Sequence, residues 1–461
     1  MKVLIVNVCL RGGGHRILLP IGLGYIATAV SEAGYDLDIL DIDLYRFSDE
    51  EIKAEFSSRS YDVVLMGAMV NGFKKVKAIA GIAKKYNEKA IVVAGNTVAS
   101  SIIEILLQKT DVDVTVIGEG DITIVRLLDC LNKNDELKNV KGISYINDRE
   151  IYHTPQRSGI ENIDVLPFVN WELFDIHGYI ERGKDNVNEP CPIPFEDRKI
   201  LSLCVSRGCA YRCTFCYHTF KSNGYRYRSP ENVISELKQM KKKYDVNFVN
   251  FWDEITFFRT EWCDRFLDLL IEADLGIHWN AACRGDLLND DNAFLAKKMK
   301  RAGCDGLSYS LESANSKILK AMNKRLNTEL ISTHKRIMDE AGLASWVSIV
   351  IGYPQETEET LNETFDYCEA NRIYPSAGFL LPLPKTPVYE YALKNGFVRD
   401  EEAYLLGLGD RQDLHVNMSQ IPTPRLEEIV YERLMGINKS MNLGIPKESL
   451  IKTKGKKSRV G

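Results

Sequence analysis

Short apolar runs alternate with amphipathic, helix-like segments along the first part of the chain. The runs are rich in β-branched residues and apolar along their whole length, which is typical of parallel strands covered by helices on both faces. They lie at 3–8, 37–42, 63–66, 90–94 and 112–117, with helix-like segments at 21–33, 73–85, 100–107 and 122–131. The alternation predicts a doubly wound, flavodoxin-like parallel α/β sheet.

Small and polar residues follow three of these strands, in the segments Arg11-Gly-Gly-Gly-His15, Gly95-Asn96-Thr97 and Gly118-Glu119-Gly120. Ligands of such sheets bind beyond the carboxyl ends of the strands, and glycine lets the backbone approach a ligand closely. The segments are therefore candidates for a ligand-binding edge. The same composition is also that of ordinary loops.

A second α/β series begins near residue 200. Its strand-like runs lie at 200–205, 248–252, 277–282, 306–311, 346–351 and 377–383, and its helix-like segments at 230–243, 261–273, 291–302, 315–322, 328–341 and 358–371. Each unit has the ordinary size of a βα repeat. We expect a partial (β/α)6 barrel whose site lies at the carboxyl ends of its strands.

The patterns divide the chain into four predicted regions. A Rossmann-like domain at 1–154 ends in a hairpin near 142–153, and a connector at 155–199 is expected to pack through Phe168, Trp171 and Phe174. The barrel occupies 200–395. A C-terminal helical region at 396–461 contains one amphipathic helix near 424–441. Its tail, 452–461, carries five basic residues in ten, which is typical of a solvated terminus.

Composition and charge narrow the class of function. The 461 residues are 45% hydrophobic and 27% charged, with a formal net charge of −5. Mild acidity argues against a general nucleic-acid or membrane-surface binder. No apolar run reaches the roughly 18 residues of a membrane helix, and the first residues read as a strand without a signal-peptide cleavage region. We therefore expect a cytoplasmic protein without a transmembrane segment.

The cysteines supply the strongest chemical signal. Eight of the eleven are scattered in apolar contexts and are interpreted as small buried hydrophobes. The other three, Cys209, Cys213 and Cys216, form a CxxxCxxC motif just after the first strand of the second series. Three thiolates can hold a [4Fe–4S] cluster and leave one iron open for chemistry. The alternative is a structural zinc site with Cys204 or His218 as fourth ligand, but a second cysteine pair is missing.

This motif, after the first strand of a six-unit barrel, resembles that of the radical S-adenosylmethionine (SAM) enzymes. Segments after the later strands are similar to the family in order and position: Phe251-Trp-Asp253-Glu254, Arg284, Ser310-Leu-Glu312-Ser313, Gly352-Tyr-Pro-Gln-Glu356-Thr357 and Pro382-Leu-Pro-Lys-Thr386-Pro387. The resemblance implies a [4Fe–4S] cluster on the three cysteines. It also implies SAM contacts at Phe215, Asp253, Glu254, Arg284, Ser310, Glu312 and Gly352.

Five of the seven SAM contacts also have a structural interpretation. Asp253, Glu254 and Glu312 are placed where carboxylates cap a following helix. Arg284 can simply pair with Asp286, and Gly352 can simply shape a turn.

The resemblance extends to the N-terminal domain. Pro20-Ile-Gly22-Leu-Gly-Tyr25 and Val116-Ile-Gly118-Glu119-Gly120 are similar to the cobalamin-binding domains of one radical SAM subgroup. This implies cobalamin contacts at Pro20, Gly22, Asn96, Thr97, Gly118, Glu119 and Gly120. The Asp-x-His-x-x-Gly motif, in which a histidine ligates cobalt, is missing, so His15 is interpreted as a loop residue. That departure also fits a domain that binds no cobalamin.

The expected activity follows from the resemblance. It implies a cobalamin-dependent radical SAM methyltransferase that methylates an unactivated carbon, or a phosphinate, of a natural-product or lipid intermediate. A flavodoxin or ferredoxin would supply electrons. The alternatives are a radical SAM cyclase, ring-contraction or oxidation enzyme with bystander or absent cobalamin, and a non-catalytic cobalamin or iron–sulfur sensor. No catalytic side chain is named from the sequence.

Overall fold

The computed structural model describes residues 1–10, 17–189, 191–220, 223–409 and 413–451. The predictions for 11–15, His15 included, and for the basic tail lie outside these residues. The chain folds into two compact units, neither continuous in sequence. The first contains Met1–Asn186, Tyr217–Arg226 and Val398–Leu408, and the second contains Val187–Cys216, Tyr227–Phe397 and Gly409–Gly461.

The first unit is built on a seven-stranded sheet of order β2-β1-β3-β4-β5-β6-β7. The first five strands are parallel, and β6 and β7 add an antiparallel hairpin. The strands are β1 (Lys2–Asn7), β2 (Asp36–Asp41), β3 (Val63–Gly67), β4 (Ile91–Gly95), β5 (Val114–Val116), β6 (Ile143–Asn147) and β7 (Glu150–His153). The order 2-1-3-4-5 is the flavodoxin-like one, which confirms the predicted fold class.

Helices cover this sheet because its strands are apolar on both faces; Leu4 and Ile5 of β1, for example, are fully buried. Helix α1 packs against α7, and α3 packs against α4. The helices are α1 (Ile21–Glu32), α2 (Ile42–Tyr45), α3 (Asp49–Ser58), α4 (Phe73–Tyr86), α5 (Asn96–Ser101), α6 (Ile103–Lys109), α7 (Gly120–Lys133) and α8 (Ile176–Arg182).

The predicted connector contributes directly to the first unit. Trp171 and Phe174 are buried, as expected, and Phe168 is partly buried. In α8, the Tyr179 hydroxyl donates to Asp41 Oδ2 at 2.6 Å, and the Asn7 side chain donates to Asp41 Oδ1 at 2.8 Å. This buried network ties α8 to the carboxyl ends of β1 and β2.

The second unit is built on an open, all-parallel sheet of order β15-β14-β13-β12-β11-β8. This curled half-barrel confirms the predicted partial barrel. Two short strands, β9 and β10, flank the cysteine motif in sequence. The strands are β8 (Ile200–Leu203), β9 (Ser206–Arg207), β10 (Arg226–Tyr227), β11 (Phe248–Phe251), β12 (His278–Ala282), β13 (Cys304–Glu312), β14 (Ala344–Ile351) and β15 (Ser376–Phe379).

The remaining helices follow these strands, except that α16 belongs to the first unit. They are α9 (Pro230–Tyr244), α10 (Thr260–Ala273), α11 (Phe294–Arg301), α12 (Ser316–Ala321), α13 (Thr328–Glu340), α14 (Glu358–Ala370), α15 (Pro387–Lys394), α16 (Glu401–Gly407) and α17 (Thr423–Ser440). Helix α17 matches the predicted C-terminal helix. Among the described residues, none of the helices combines the length and apolarity that a membrane crossing requires.

Alternation along the half-barrel strands separates an apolar face from a polar one. Phe251 and Trp279 pack against Phe266 of α10, with ring centroids 5.9 and 6.2 Å away, so the apolar face meets the helices. The opposite face carries Asn250, whose register partners are Ser202 and Asn280. The concave wall of the half-barrel is therefore lined by small polar side chains.

Candidate functional site

The three clustered cysteines lie on a loop, residues 208–216, that begins immediately after β9; we call it the cysteine loop. Cys209 and Cys213 are partly buried and Cys216 is exposed. Burial raises the pKa of the Cys209 and Cys213 thiols, so iron binding would displace their protons. In the described parts of the chain, no three His, Cys, Asp or Glu side chains converge on one metal ion. A cluster does not require this, because each thiolate binds a different iron.

Cys204, the proposed fourth ligand of a zinc site, is engaged otherwise. Its thiol donates to the Trp252 carbonyl oxygen at 3.2 Å. Burial raises the pKa of this thiol well above its usual value, whereas a metal ligand has to be a thiolate. The donor set of the cysteine loop therefore suits a three-thiolate cluster better than this four-ligand zinc site.

A turn formed by residues 321–325, here called the docking turn, contacts the cysteine loop. The Thr214 backbone N–H donates to the Met322 carbonyl at 2.9 Å, and the Asn323 side chain donates to the Arg212 carbonyl at 2.9 Å. Asn323 and Arg325 both have positive φ, 51° and 48°. Such conformations are uncommon outside glycine and persist where tertiary contacts hold them.

Arg284 supports the cysteine loop at Tyr211. Its guanidinium carbon lies 3.7 Å from the centroid of the Tyr211 ring, a close cation–π contact. Its nitrogens also bind the Asp286 carboxylate at 3.0 and 3.2 Å and the Arg325 carbonyl at 2.8 Å. Arg284 therefore connects the end of β12, the cysteine loop and the docking turn.

The adjacent carboxylates Asp253 and Glu254 have different surroundings. Asp253 Oδ1 accepts hydrogen bonds from the backbone N–H groups of Val205 and Ser206, at 2.8 and 2.7 Å, and from the Ser206 hydroxyl. Burial raises the pKa of Asp253 to about 7. Glu254 is exposed to solvent, although its carboxylate accepts a hydrogen bond from the Gly208 backbone and its partial burial raises its pKa. Asp253 therefore fixes the backbone that leads into the cysteine loop, while Glu254 is accessible to a ligand.

Glu312 ends β13 in a left-handed conformation, with φ of 62°. Its Oε1 accepts a hydrogen bond from Lys324 Nζ at 2.8 Å, and both side chains are largely buried. The hydroxyl of Ser310, on the same strand, lies 2.9 Å from the hydroxyl of Ser348 on β14. Backbone strain of this kind is held at ligand sites by the surrounding structure.

Gly352 lies in a turn that is closed by a hydrogen bond to a nearby residue of the same segment. It has φ of 106°, and its N–H donates to the buried Glu356 carboxylate. Burial raises the pKa of Glu356 to about 7. Phe215, the remaining SAM candidate, is partly buried on the cysteine loop. All the predicted SAM candidates except Phe215 thus lie in the last residues of half-barrel strands or just after them.

In the first unit, the predicted cobalamin residues meet at the carboxyl edge of the sheet. Asn96 has φ of 66°, and the Thr97 hydroxyl accepts a hydrogen bond from the Val70 N–H at 2.9 Å. The Gly118 N–H donates to the Ser100 hydroxyl at 3.1 Å. A Cβ on Gly118, which has φ of +76°, or on Gly22 would meet nothing within 4 Å. Open space over such backbone fits a bulky ligand.

Three other cobalamin candidates at this edge have structural roles. Glu119 is buried, and its carboxylate oxygens accept hydrogen bonds from the Asn223 side chain and from the Ile160 N–H. It also pairs with Arg226 at 2.5 Å. A Cβ on Gly120 would lie 2.8 Å from Ile26, so this glycine lets α7 approach α1, and Pro20 precedes the first turn of α1.

Two sequence families match the chain in the same order as its units. Residues 203–368 match the radical SAM superfamily, and residues 10–128 match the B12 binding domain. The chain is a radical SAM enzyme with a B12-binding domain. The radical SAM assignment implies a [4Fe–4S] cluster and SAM, and the B12-binding domain implies cobalamin. This confirms the cofactor set expected from the sequence.

Relatives of this radical SAM enzyme include a methyltransferase and a cyclase. It is 29% identical to an uncharacterized methyltransferase of Pyrococcus horikoshii, covering 86% of the chain and 84% of the relative. It is 26% identical to the anaerobic magnesium-protoporphyrin IX monomethyl ester cyclase of Rubrivivax gelatinosus, covering 79% and 65%. The radical SAM methyltransferase TsrM of Kitasatospora setae has a similar fold, with a TM-score of 0.68, 19% identity and coverage of 86% and 77%.

Several supporting residues of this radical SAM enzyme were missed in the sequence. The docking turn and Tyr353 contact Thr214 of the cysteine loop through backbone carbonyls and a neutral hydroxyl. The one usable signal is the run Asn323-Lys-Arg325, where polar and basic residues interrupt the helical pattern soon after Glu312.

Proposed function

We propose that this protein is a cobalamin-dependent radical SAM methyltransferase acting on a small organic substrate. The observation that carries the proposal is the combination of the cysteine loop with a B12-binding unit. Similarity to a methyltransferase along most of both chains supports it. We further propose that it works in the cytoplasm with a flavodoxin or ferredoxin as electron donor.

The role of the chain itself is to bind and orient its cofactors. When bound, the cluster and SAM supply a 5′-deoxyadenosyl radical that removes a substrate hydrogen, and cobalamin supplies a methyl group. Cys209, Cys213 and Cys216 would hold the cluster. The open carboxyl edge near Asn96 and Gly118 would hold cobalamin.

Among the SAM candidates, the exposed Glu254 is the better partner for the SAM ammonium group. Asp253 Oδ1 accepts hydrogen bonds from the backbone N–H groups just before the cysteine loop, so we assign Asp253 a positioning role. Glu312 suits the ribose hydroxyls, because Lys324 fixes one of its oxygens and burial strengthens its hydrogen bonds. Arg284 acts indirectly, by holding Tyr211 and the docking turn.

The concave wall favours a polar substrate over a lipid. Ser202, Asn250 and Asn280 occupy paired positions on three neighbouring strands, and small polar groups of this kind bind hydroxyl, carbonyl or amide groups. Trp252, at the end of β11, is 47% exposed and offers an aromatic surface. A lipid chain would leave the polar wall without partners, which costs free energy.

Product stoichiometry tests the proposal. The anaerobically reconstituted enzyme is supplied with methylcobalamin, reductant, methyl-deuterated SAM and small-molecule extracts. A methyltransferase gives one deoxyadenosine and one S-adenosylhomocysteine per methylated product, and the label enters the product after the first turnover. Deoxyadenosine formation on the true substrate without methyl transfer would rule the proposal out.

A second candidate is a cyclase or oxidation enzyme, which the similarity to the Rubrivivax gelatinosus cyclase favours. The same assay separates the two, because such an enzyme forms product and deoxyadenosine but no S-adenosylhomocysteine. A non-catalytic sensor that responds to cobalamin would keep its biological activity after Cys213→Ala, whereas both enzymes would lose it.

A further inference from the structure

Thr214 lies inside the CxxxCxxC motif and makes four hydrogen bonds away from its own loop. Its N–H donates to the Met322 carbonyl at 2.9 Å, and its carbonyl accepts from the Val388 N–H at 3.3 Å. Its hydroxyl bonds the Ala321 carbonyl at 3.1 Å and the Tyr353 hydroxyl. Three segments distant in sequence therefore meet on one residue between Cys213 and Cys216.

The direction of the two hydroxyl bonds is determined by chemistry. A carbonyl oxygen can only accept, so the Thr214 hydroxyl donates to Ala321. The Tyr353 hydroxyl must then donate to the Thr214 oxygen. Burial raises the pKa of Tyr353 to about 12, which keeps this donor protonated at ordinary pH. The two hydroxyl bonds therefore form an oriented chain of hydrogen bonds from Tyr353 through Thr214 to the docking turn; we call this chain the relay.

Such a relay has a clear physical use. Three free thiols on a loop are flexible, and fixing the backbone of each loop residue costs conformational entropy. If contacts with the rest of the half-barrel hold the loop beforehand, iron does not have to offset that cost on binding. No hydrogen bond of Thr214 involves a cysteine, so the iron-free protein can make all of them.

We propose that Thr214 is a positioning residue that holds the cysteine loop in its cluster-binding form before iron arrives, with Tyr353 as its hydroxyl partner. The role is independent of the reaction catalysed. It requires the hydroxyl, since the backbone bonds of Thr214 would persist in any substitution that keeps the fold.

The test measures thiol access in the iron-free protein. Thr214→Val keeps the shape and removes both hydroxyl bonds, Thr214→Ser keeps the hydroxyl, and Tyr353→Phe removes only the partner. Each is treated with iodoacetamide, and alkylation is followed at each cysteine by peptide mass spectrometry. We expect Thr214→Val to accelerate alkylation of Cys213 roughly five- to tenfold, since a lost hydrogen bond is worth about 1 kcal/mol. Thr214→Ser should react at nearly the native rate.

Internal controls separate local opening from unfolding. Cys130, buried in the first unit, should react equally slowly in all variants, and a thermal melt reports global stability. If Thr214→Val does not fold, Tyr353→Phe decides: faster alkylation of Cys213 supports the proposal and an unchanged rate overturns it. Native rates in Thr214→Val, or equally fast rates in Thr214→Ser and Thr214→Val, would also overturn it.

A second readout follows cluster assembly. With limiting iron and sulfide, Thr214→Val should assemble the cluster several-fold more slowly than the native protein, and Thr214→Ser should restore the rate. Neither measurement needs a substrate or methyl transfer. Failure of the proposed methyltransferase activity would therefore leave this inference standing, and the reverse also holds.

Discussion

The cysteine loop and the carboxyl edge of the first sheet, the proposed sites of the cluster and of cobalamin, are shaped by different means. Side chains hold the cysteine loop: Arg284 stacks on Tyr211, and Asn323 binds the Arg212 carbonyl. Backbone conformation shapes the sheet edge: Asn96 and Gly118 have positive φ, and the space over Gly118 is open.

The difference reflects what each ligand needs. A cluster is held by a few strong bonds to thiolates, whose positions must be fixed by the surrounding protein. A large organic cofactor is held by many weak contacts over an open surface, which small residues and exposed backbone provide. Substitutions should therefore act through lost bonds in the second unit and through added bulk in the first.

The largest effect is expected from Cys213→Ala. Loss of one thiolate should abolish the cluster and lower deoxyadenosine formation roughly a thousandfold or more, because the cofactor performs the difficult step. Corrinoid content should stay at the native level, since the first unit is untouched. Cys368→Ala, a buried cysteine of α14, is the control and should keep the cluster. Loss of corrinoid from Cys213→Ala would show that the two sites are not independent.

Lys324→Met tests the buried ion pair beside the cysteine loop. Removing one partner leaves the buried Glu312 charge uncompensated, so we expect the free energy of unfolding to fall by about 3 kcal/mol. Urea unfolding of the iron-free protein measures it, and adding Glu312→Gln should restore much of the loss. Lys335→Met, which breaks a pair with the exposed Asp339, should cost less than about 0.5 kcal/mol. Equal losses in the two lysine variants would contradict the importance of burial.

Gly118→Val tests the sheet edge, with Gly34→Val as a matched control. Both glycines have positive φ, +76° and +83°, and open space at Cβ, so both substitutions should cost about 1–2 kcal/mol of stability. Only Gly118→Val should weaken corrinoid retention, by roughly tenfold, because Gly34 lies between α1 and β2 at the opposite edge. The corrinoid absorbance of the purified proteins distinguishes them. Equal retention would remove Gly118 from the proposed site.

Asp253→Asn should have an effect that is small at low pH and grows as the pH rises. Burial raises the folded-state pKa of Asp253 to about 7, above the 3.8 of an exposed group. Its stabilising contribution is therefore complete below about pH 4 and is lost as pH rises to 7. The asparagine variant should not lose stability in this way. Relative to the native protein, its free energy of unfolding should therefore rise by about 1 kcal/mol per pH unit in that window. Parallel stability curves in urea from pH 5 to 8 would contradict the assignment.

Local patterns in the sequence predicted most of the fold. Long apolar runs located every strand of both main parallel sheets, because burial on both faces leaves an unmistakable pattern. Helix α3 was missed although Ser48 and Glu51 form a capping box, which is a readable signal for a helix start. One helix predicted at 100–107 is divided at Ile102, whose φ of −133° interrupts the helical backbone.

The site was predictable where chemistry depends on residue type. Three cysteines at this spacing predict a cluster from residue type alone, so Cys209, Cys213 and Cys216 could be named as candidates. The support of the loop was not, because Thr214 binds the carbonyl of Met322, which any residue at that position could provide. The different surroundings of Asp253 and Glu254 also depend on tertiary structure, since the two carboxylates are neighbours in sequence.

The discontinuous first unit has a consequence for how the protein is made. Residues 217–226 and 398–408 complete it, so it cannot finish folding when residue 186 leaves the ribosome. At roughly 5–20 residues per second, synthesis needs roughly 10–45 s to go from residue 186 to residue 408. Glu119 lacks Arg226 until residue 226 has been made, and α4 lacks α16 until residue 407 has been made. The nascent chain therefore carries an unfinished domain for most of its synthesis, and nascent-chain chaperones have a long interval in which to bind it.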